Sequence, residues 1–295
     1  MNQAPNRAKP LHYGVYILAM LIFGTNGYFA AHINLTGSQV VLLRTLIGGT
    51  MLTLLVLFQG GFDREAVRSE KWWLLLGGAA LGANWVALFE AYRLLNVSLA
   101  TLIYYVGPML VLLLSPVLFR EKLTGRKIAA ICLVAVGLIC ISGSIAFGGL
   151  SAGGLVTAIV SALFYSSLII FNKRIVRTSG MQTAAIELDV AFLVVLLYVL
   201  LTVGLPRPQR SDLPCIALIG LVNTGLAYVL YFSGLQRLPG QSVALISYVD
   251  PVSTLLYSAL LLHEVLTPLQ LFGAVLIIGG ALFGELRGRR GGSRT

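Results

Sequence analysis

Ten separate apolar runs, each about twenty residues long, constrain this chain more than any other feature of its sequence. A helix needs about 20 apolar residues to cross a bilayer, so ten of them leave only short connections in a chain of 295 residues. Only 11% of the residues are charged, against about 25% in a soluble domain. The sequence therefore predicts an all-α integral membrane protein and excludes a soluble enzyme with an anchor. The predicted helices span 13–33, 37–58, 72–93, 98–119, 127–146, 151–172, 181–204, 213–236, 241–262 and 267–286.

The basic residues predict how these helices cross the membrane. The net charge is +10, yet the basic residues are scattered through short loops, which argues against a nucleic-acid partner. If both termini are cytoplasmic, 17 of the 21 Lys and Arg residues fall in cytoplasmic segments, as the positive-inside rule requires. We therefore expect a multi-pass protein of the cell (inner) membrane. The 17 residues are Arg7, Lys9, Arg64, Arg68, Lys71, Arg120, Lys122, Arg126, Lys127, Lys173, Arg174, Arg177, Arg237, Arg287, Arg289, Arg290 and Arg294.

The two halves of the chain repeat each other at a shift of 143 residues. ATLIYYVGP at 100–108 matches VALISYVDP at 243–251, and the same shift places Glu121 on Glu264 and Arg44 on Glu187. Each copy holds five helices, an odd number, so the second copy enters the membrane from the opposite side. The sequence thus predicts two inverted five-helix repeats. The predicted segments are a cytoplasmic tail 1–12, repeats 13–148 and 149–286, and a basic tail 287–295.

These paired segments resemble the EamA-like units of the drug/metabolite transporter superfamily. The first half carries VSLATLIYYVGPMLVLLLSPVLFREKLTGRKIAAICLVAVGLI and the second SVALISYVDPVSTLLYSALLLHEVLTPLQLFGAVLIIGGALF. The two segments share a P…E-x-L-T…G pattern. The resemblance implies ten helices around a central cavity lined by helices 1, 3, 4, 6, 8 and 9, with helices 5 and 10 peripheral. Members that resemble this chain include exporters of amino acids and metabolites and importers of choline.

Two prolines fall at equivalent positions near the middle of the membrane. Pro108 and Pro251 lie about ten residues into helices 4 and 9, and each would free the carbonyl four residues earlier, at Tyr104 and Ser247. Symmetry-related helix breaks at the midplane indicate a binding site. The alternative is a pair of kinks that only shape the packing.

Five charged side chains within the predicted spans are candidates for chemistry or for structural pairing. Asp250 precedes Pro251, and is either a proton-coupling and amine-binding group or a protonated carboxyl that satisfies the broken helix. Glu90 either binds substrate or a proton, or forms a structural ion pair with Arg44. Glu187 and Asp189 are two residues apart on helix 7, so at most one of them faces the cavity directly.

Aromatic and amide side chains gather on the helices that the resemblance assigns to the cavity. Rings with a polar tip suit an amphipathic substrate, and an aromatic wall beside a carboxylate suits an amine; taken singly, each ring could equally fill the core. Tyr105 and Tyr248 occupy matched repeat positions, and we predict that both border one cavity. The candidate substrate-binding residues are Asn26, Asn84, Trp85, Glu90, Tyr104, Tyr105, Tyr165, Asn223, Tyr228, Tyr248 and Asp250, and Tyr231 joins the same aromatic group.

Other motifs indicate structure rather than chemistry. Glu121 and Glu264 end helices 4 and 9 and are interpreted as helix-end caps and loop anchors. Gly280 and Gly284 allow close helix approach, either in a homodimer through helices 5 and 10 or within the chain. The three cysteines have no metal-ligand spacing, so we expect no metal and no cofactor.

The sequence favours a secondary active transporter over the other classes. The expected function is proton-linked or facilitative export of small amphipathic metabolites, amino acids foremost, by alternating access. A carrier of organic cations such as choline-like compounds is the alternative, and an intramembrane enzyme ranks lower because no HExxH, GxSxG or paired catalytic Asp motif occurs. Charged pore rings and a Walker A motif are also missing, which disfavours a channel and direct use of ATP. Arg44 is the only basic residue well inside a span, so a phosphorylated substrate is disfavoured.

Overall fold

The predicted ten-helix membrane fold is confirmed. A computed structural model describes residues 10–95, 97–142, 151–261, 263 and 265–285, and ten of its helices are long and apolar enough to cross a membrane. Apart from the start of the third and the end of the fifth helix, their ends agree with prediction within three residues. The helices are α1 (Pro10–Ala31), α2 (Gly37–Phe58), α3 (Arg64–Leu94), α4 (Leu99–Leu118), α5 (Gly125–Ser142), α6 (Ala152–Asn172), α7 (Gly180–Thr202), α8 (Arg210–Arg237), α9 (Gly240–Leu261) and α10 (Pro268–Glu285).

Some predicted features lie outside the described residues. They are the tails at 1–9 and 287–295, the end of helix 5 at 143–146, and Glu264.

α3 begins eight residues before its predicted start at 72. The prediction began the helix with its apolar run, but a polar first segment precedes that run. The Asp63 carboxylate accepts a hydrogen bond from the Ala66 N–H at 3.0 Å and caps the helix. Both Glu70 oxygens accept backbone N–H bonds from residues 176–178, which join α6 to α7. The extension therefore anchors a loop as well as lengthening the helix.

Four of the ten helices are interrupted within the membrane. α1 breaks after Gly24, and a π-helical stretch, Ile219–Leu226, interrupts α8. α4 breaks at Tyr105, and its second segment is Val106–Leu118; α9 breaks at 247–248, before the segment Val249–Leu261. The breaks at Tyr105 and Tyr248 are one repeat shift apart.

The prolines lie just after these breaks rather than at them. Pro108 and Pro251 are each the third residue of the second segment of their helix. A proline in the first turn costs little, because the N–H that it lacks has no partner there. Arg120 and His263, again one shift apart, both have a φ of 56°, so the two halves also share the backbone conformation that ends α4 and α9.

α5 and α10 pack against each other through glycines. The position of a Gly137 Cβ is filled by the Gly273 carbonyl and Ile277, and Gly280 lies against Ala130 and Leu133. Gly284 packs on Ala130 and Leu245. These glycines therefore pack within the chain, as the second interpretation of Gly280 and Gly284 predicts. They give no support to a homodimer through helices 5 and 10, which stays a prediction.

One membrane face is closed by hydrogen bonds between the two halves. We call it the terminal face, because α1 begins there at Pro10 and α10 ends there at Glu285; the opposite side is the far face. Glu121 at the end of α4 accepts N–H bonds from Gly240 at 2.6 Å and Gln241 at 3.0 Å, at the start of α9. The buried Gln241 side chain also bonds Lys127 and Ser115.

A lysine completes this closure. Lys173, directly after α6, donates hydrogen bonds to the Leu235 and Leu238 carbonyls at the end of α8. Burial lowers the pKa of Lys173 to about 8. The terminal face is thus held by polar contacts that water would compete for if it opened.

Candidate binding cavity

A cavity of about 530 Å³ lies between the two halves. Its lining comes from the halves of α1, α2, α3, α4, α8 and α9 that are nearer the far face, so the cavity opens there and ends against the closed terminal half. The resemblance implied a wall without helix 2, but Gly37, Val40, Val41 and Arg44 of α2 all contribute.

One cation and one anion line this cavity. The Arg44 side chain donates from Nε to the Thr224 hydroxyl at 3.0 Å, and its guanidinium lies 4.8 Å from the centre of the Trp85 ring. Asp250 lies just after the break of α9 and accepts a hydrogen bond from the Tyr105 hydroxyl at 3.2 Å. Because both charged groups border one partly enclosed space, the cavity can bind a molecule that carries both charges.

An aromatic pocket extends the cavity towards the terminal face. It is small, about 50 Å³. The rings of Tyr104 and Tyr165 stack at 4.9 Å and 11°, while Trp85 and Tyr228 meet edge to face at 5.8 Å. Tyr231 forms part of the same wall, with its buried hydroxyl lacking a partner within the described residues. Such a wall suits an apolar or aromatic group.

The predicted amides lie at the helix interruptions. The Asn223 amide, in the π-helical stretch, donates to the Ile22 carbonyl at 2.9 Å, the Thr25 hydroxyl at 2.7 Å and the Asn26 side-chain oxygen at 3.1 Å. It therefore fastens the break of α1 to α8. Asn26 lines the main cavity, and Asn84 lines the aromatic pocket, accepting a bond from Ser161 at 2.8 Å.

The predicted ion pair between Arg44 and Glu90 is wrong. Glu90 pairs with Arg93 at 2.7 Å on its own helix and accepts a hydrogen bond from Tyr198 of α7. Glu90 lies on another side of α3 from the lining residues Phe89 and Tyr92, and does not line the cavity. Arg44 is left free to line the cavity.

Tyr105 and Tyr248, which were predicted to border the cavity, are not among the residues that line it. Both rings are buried at the crossing of α4 and α9, in a cluster with residues of α5 and α10, behind the cavity wall. The Tyr248 hydroxyl donates to the Tyr105 carbonyl, at the break of α4, at 2.8 Å. The two rings thus link the broken helices α4 and α9, and the Tyr105 hydroxyl donates to Asp250.

Neither Glu187 nor Asp189 lines the cavity. Asp189 points to α2, where its carboxylate accepts a bond from Thr53 at 2.7 Å. Glu187 points the other way, to Asn172 of α6 and Gly77 of α3. The roughly opposite directions agree with their spacing on a helix.

Sequence reasoning missed four polar lining residues: Arg44, Tyr92, Thr101 and Thr254. The position of Arg44 could have been identified from the sequence, because an isolated basic residue within a span indicates a functional site. No group of three His, Cys, Asp or Glu side chains that could hold a metal occurs in the part of the chain that the structure describes.

Comparison with known proteins establishes the family. Residues 12–143 and 152–284 each match the EamA-like transporter family. The chain belongs to this family. The predicted resemblance to the drug/metabolite transporter superfamily is therefore confirmed, and the protein is a multi-pass membrane transporter rather than an enzyme. A solved crystal structure shares the fold, with a TM-score of 0.83, 22% identity and coverage of 95% of this chain and 99% of that one.

Several named relatives are transporters. The uncharacterized transporter YxxF of Bacillus subtilis is 28% identical, with 90% of this chain and 86% of the relative aligned. A probable amino-acid metabolite efflux pump of Salmonella typhimurium is 29% identical over 62% of this chain and 65% of its own length. The aromatic amino acid exporter YddG of Ancylobacter novellus is 24% identical over 68% and 71% respectively.

Proposed function

We propose that this EamA-family transporter is a secondary active exporter of zwitterionic amino acids with apolar or aromatic side chains. The observation that carries the proposal is the pairing of Arg44 and Asp250 on one cavity with an aromatic pocket below them. The names of the efflux pump and the exporter among its relatives support the same substrate class.

Each part of such a substrate has a matching group. The carboxylate binds the Arg44 guanidinium, which makes paired hydrogen bonds to a planar anion. The ammonium binds Asp250 and the faces of neighbouring rings. The side chain enters the pocket bordered by Tyr104, Tyr165 and Tyr228. Burying both charges against partners avoids the cost of leaving either unpaired in the membrane.

Transport proceeds by alternating access between two inverted repeats. In the described conformation the cavity is open to the far face and closed at the terminal face. The distribution of basic residues supports a cytoplasmic terminal face in the cell inner membrane, which makes the described conformation outward-open. Export then requires the terminal half to open, load substrate and close again.

Organic cations are the second candidate, and Asp250 with its aromatic surroundings favours them. A choline-like cation has no carboxylate and gains nothing from Arg44. Arg44 therefore discriminates between the two substrate classes.

Counterflow in proteoliposomes tests the proposal. Vesicles loaded with unlabelled phenylalanine should accumulate labelled phenylalanine, whereas vesicles loaded with choline should not accumulate labelled choline. Arg44→Gln should abolish phenylalanine counterflow. Choline counterflow that survives Arg44→Gln, with no phenylalanine counterflow in the wild type, would establish the second candidate instead.

A further inference from the structure

A carboxyl group outside the cavity is sealed in the terminal half of the molecule. Glu187 is completely buried, seven residues from the start of α7, which places it about 10 Å below that end of the helix. Gly77 of α3 packs directly on its carboxyl, so a Cβ at position 77 would collide with it. The loop after α6 lies over this region and is fixed by Glu70.

No cation neutralises this carboxyl. In the described ranges, neither ion pair involves Glu187, and its hydrogen-bond partner is the Asn172 amide, at 2.9 Å and 3.0 Å from the two oxygens. An ionised carboxylate at such a place costs several kcal/mol. The other titratable groups on α7 are Asp189 and Tyr198. Those on α6 and on the helices packed against α7 are Tyr165 on α6, Arg44 on α2, Arg64, Glu65, Arg68, Glu70, Lys71, Glu90, Tyr92 and Arg93 on α3, and Arg210, Asp212, Cys215, Tyr228, Tyr231 and Arg237 on α8.

Asn172 provides an independent sign that Glu187 carries a proton. Its side-chain oxygen is buried and has no hydrogen-bond partner among the described residues, which is costly for a buried acceptor. A protonated Glu187 can donate its O–H to that oxygen while accepting from the Asn172 amide N–H. With the amide turned so that its nitrogen faces one Glu187 oxygen and its own oxygen faces the other, the two side chains form a closed acid–amide pair in which both acceptors are satisfied. In the described conformation the amide nitrogen lies within hydrogen-bond distance of both Glu187 oxygens and also donates to the Leu168 carbonyl.

We propose that Glu187 and Asn172 form a proton-binding site, occupied while the terminal face is closed and emptied to that side when it opens. The site rests on the proposed alternating-access function. Opening would let water reach the carboxyl, whose O–H bond then breaks, the proton passing to water and the negative charge staying on the hydrated carboxylate. Reclosure requires that a proton be taken up again. Glu187 is also the repeat counterpart of Arg44, which lines the cavity in the described conformation.

Infrared spectroscopy tests the protonation directly. The infrared difference spectrum between the wild-type protein and Glu187→Gln at neutral pH should contain the carbonyl band of a protonated carboxylic acid. Deuterium exchange should shift this band. Asp189→Asn is the matched control, because it removes a carboxyl two residues away, and its difference spectrum should lack that feature. A band of an ionised carboxylate assigned to Glu187 would overturn the proposal. If Glu187→Gln does not fold, Asn172→Ala replaces it in the experiment, and the carbonyl band of Glu187 should shift between the spectra of the wild type and Asn172→Ala.

Proton flux tests the role in transport. In proteoliposomes with a trapped pH indicator, a phenylalanine gradient should move protons in the wild type and in Asp189→Asn, but not in Glu187→Gln, which should keep phenylalanine counterflow. Unchanged proton flux in Glu187→Gln would overturn the proposal. If the wild type carries no amino acid, the proposed function fails, yet the infrared result still decides whether Glu187 holds a proton.

Discussion

At the scale of single residues, the cavity depends on two charges that sequence reasoning treated unequally. Asp250 was predicted to be a site residue from its place beside Pro251, and it does line the cavity. For Arg44 the sequence left open an ion pair with Glu90, because sequence gives the depth of a residue but not the direction of its side chain around a helix. Within the same helical turn, the Glu90 side chain can face the cavity or its neighbours, and in the structure it contacts Arg93 and Tyr198.

Asp250→Asn should uncouple transport from the proton gradient. The substitution keeps shape and hydrogen bonding but removes titration, so net transport driven by a pH gradient should collapse in proteoliposomes while substrate exchange survives. Glu90→Gln is the control, since Glu90 lies off the cavity wall, and should respond to the gradient as the wild type does. If Asp250→Asn responds to the proton gradient as the wild type does and Glu90→Gln loses that response, then Glu90 and not Asp250 is the coupling residue.

Tyr248→Phe should destabilise the protein without entering the cavity. The change leaves the buried Tyr105 carbonyl without its 2.8 Å partner, at a cost of about 1–3 kcal/mol. The melting temperature in detergent should fall, whereas Tyr257→Phe, at a partly exposed position on the same helix, should change it little. Equal melting temperatures for both variants would show that this hydrogen bond does not hold the break.

At the scale of elements, the number and order of the helices could be predicted because a membrane span needs a long apolar run. The start of α3 could not, since its first turns are polar and are fixed by a cap and by contacts with a distant loop. The breaks of α1 and α8 also escaped prediction. They contain no proline and depend on Asn223 reaching three acceptors on another helix.

Lys173 gives the closed terminal face a pH dependence. Burial lowers its pKa to about 8, and exposure in the unfolded chain returns it to about 10.4. The unfolded state therefore binds more protons between these values, and stability should rise with pH from about 8 to about 10. The gain should be on the order of 2 kcal/mol.

Melting curves across this pH range should show the rise in the wild type and lose it in Lys173→Met. Lys122→Met is the control, because Lys122 is exposed. A rise that persists unchanged in Lys173→Met would assign it to another group.

At the scale of the whole molecule, the 143-residue shift pairs Pro108 with Pro251 and so predicted matched helix breaks, which lie at Tyr105 and Tyr248. Arg120 and His263 share a backbone conformation at the same shift, which was not predicted. The shift could not predict the differences between the two halves. The shift pairs Asp250 with Gly107 and Arg44 with Glu187, so the charges of the cavity come from one member of each pair.

Orientation is open to a direct measurement. Cysteines introduced at Thr101 in the cavity and at Lys122 on the terminal side, in a protein whose own three cysteines are replaced, should differ in labelling by an impermeant thiol reagent. In intact cells only the cysteine at position 101 should react, since 17 of 21 basic residues favour a cytoplasmic terminal face. Labelling at position 122 from outside would contradict the topology and the export direction.

The central claim is that one substrate bridges Arg44 and Asp250, and binding of three related molecules tests it most directly. Phenylalanine carries both charges, its methyl ester lacks the carboxylate, and its N-acetyl form lacks the ammonium. In the wild type, each modified molecule should bind about tenfold to a hundredfold more weakly than phenylalanine, as expected for one lost charge-assisted contact. Arg44→Gln should remove the difference between phenylalanine and the ester, and Asp250→Asn the difference between phenylalanine and the N-acetyl form. If either variant keeps the full wild-type discrimination, the substrate does not bridge these two residues.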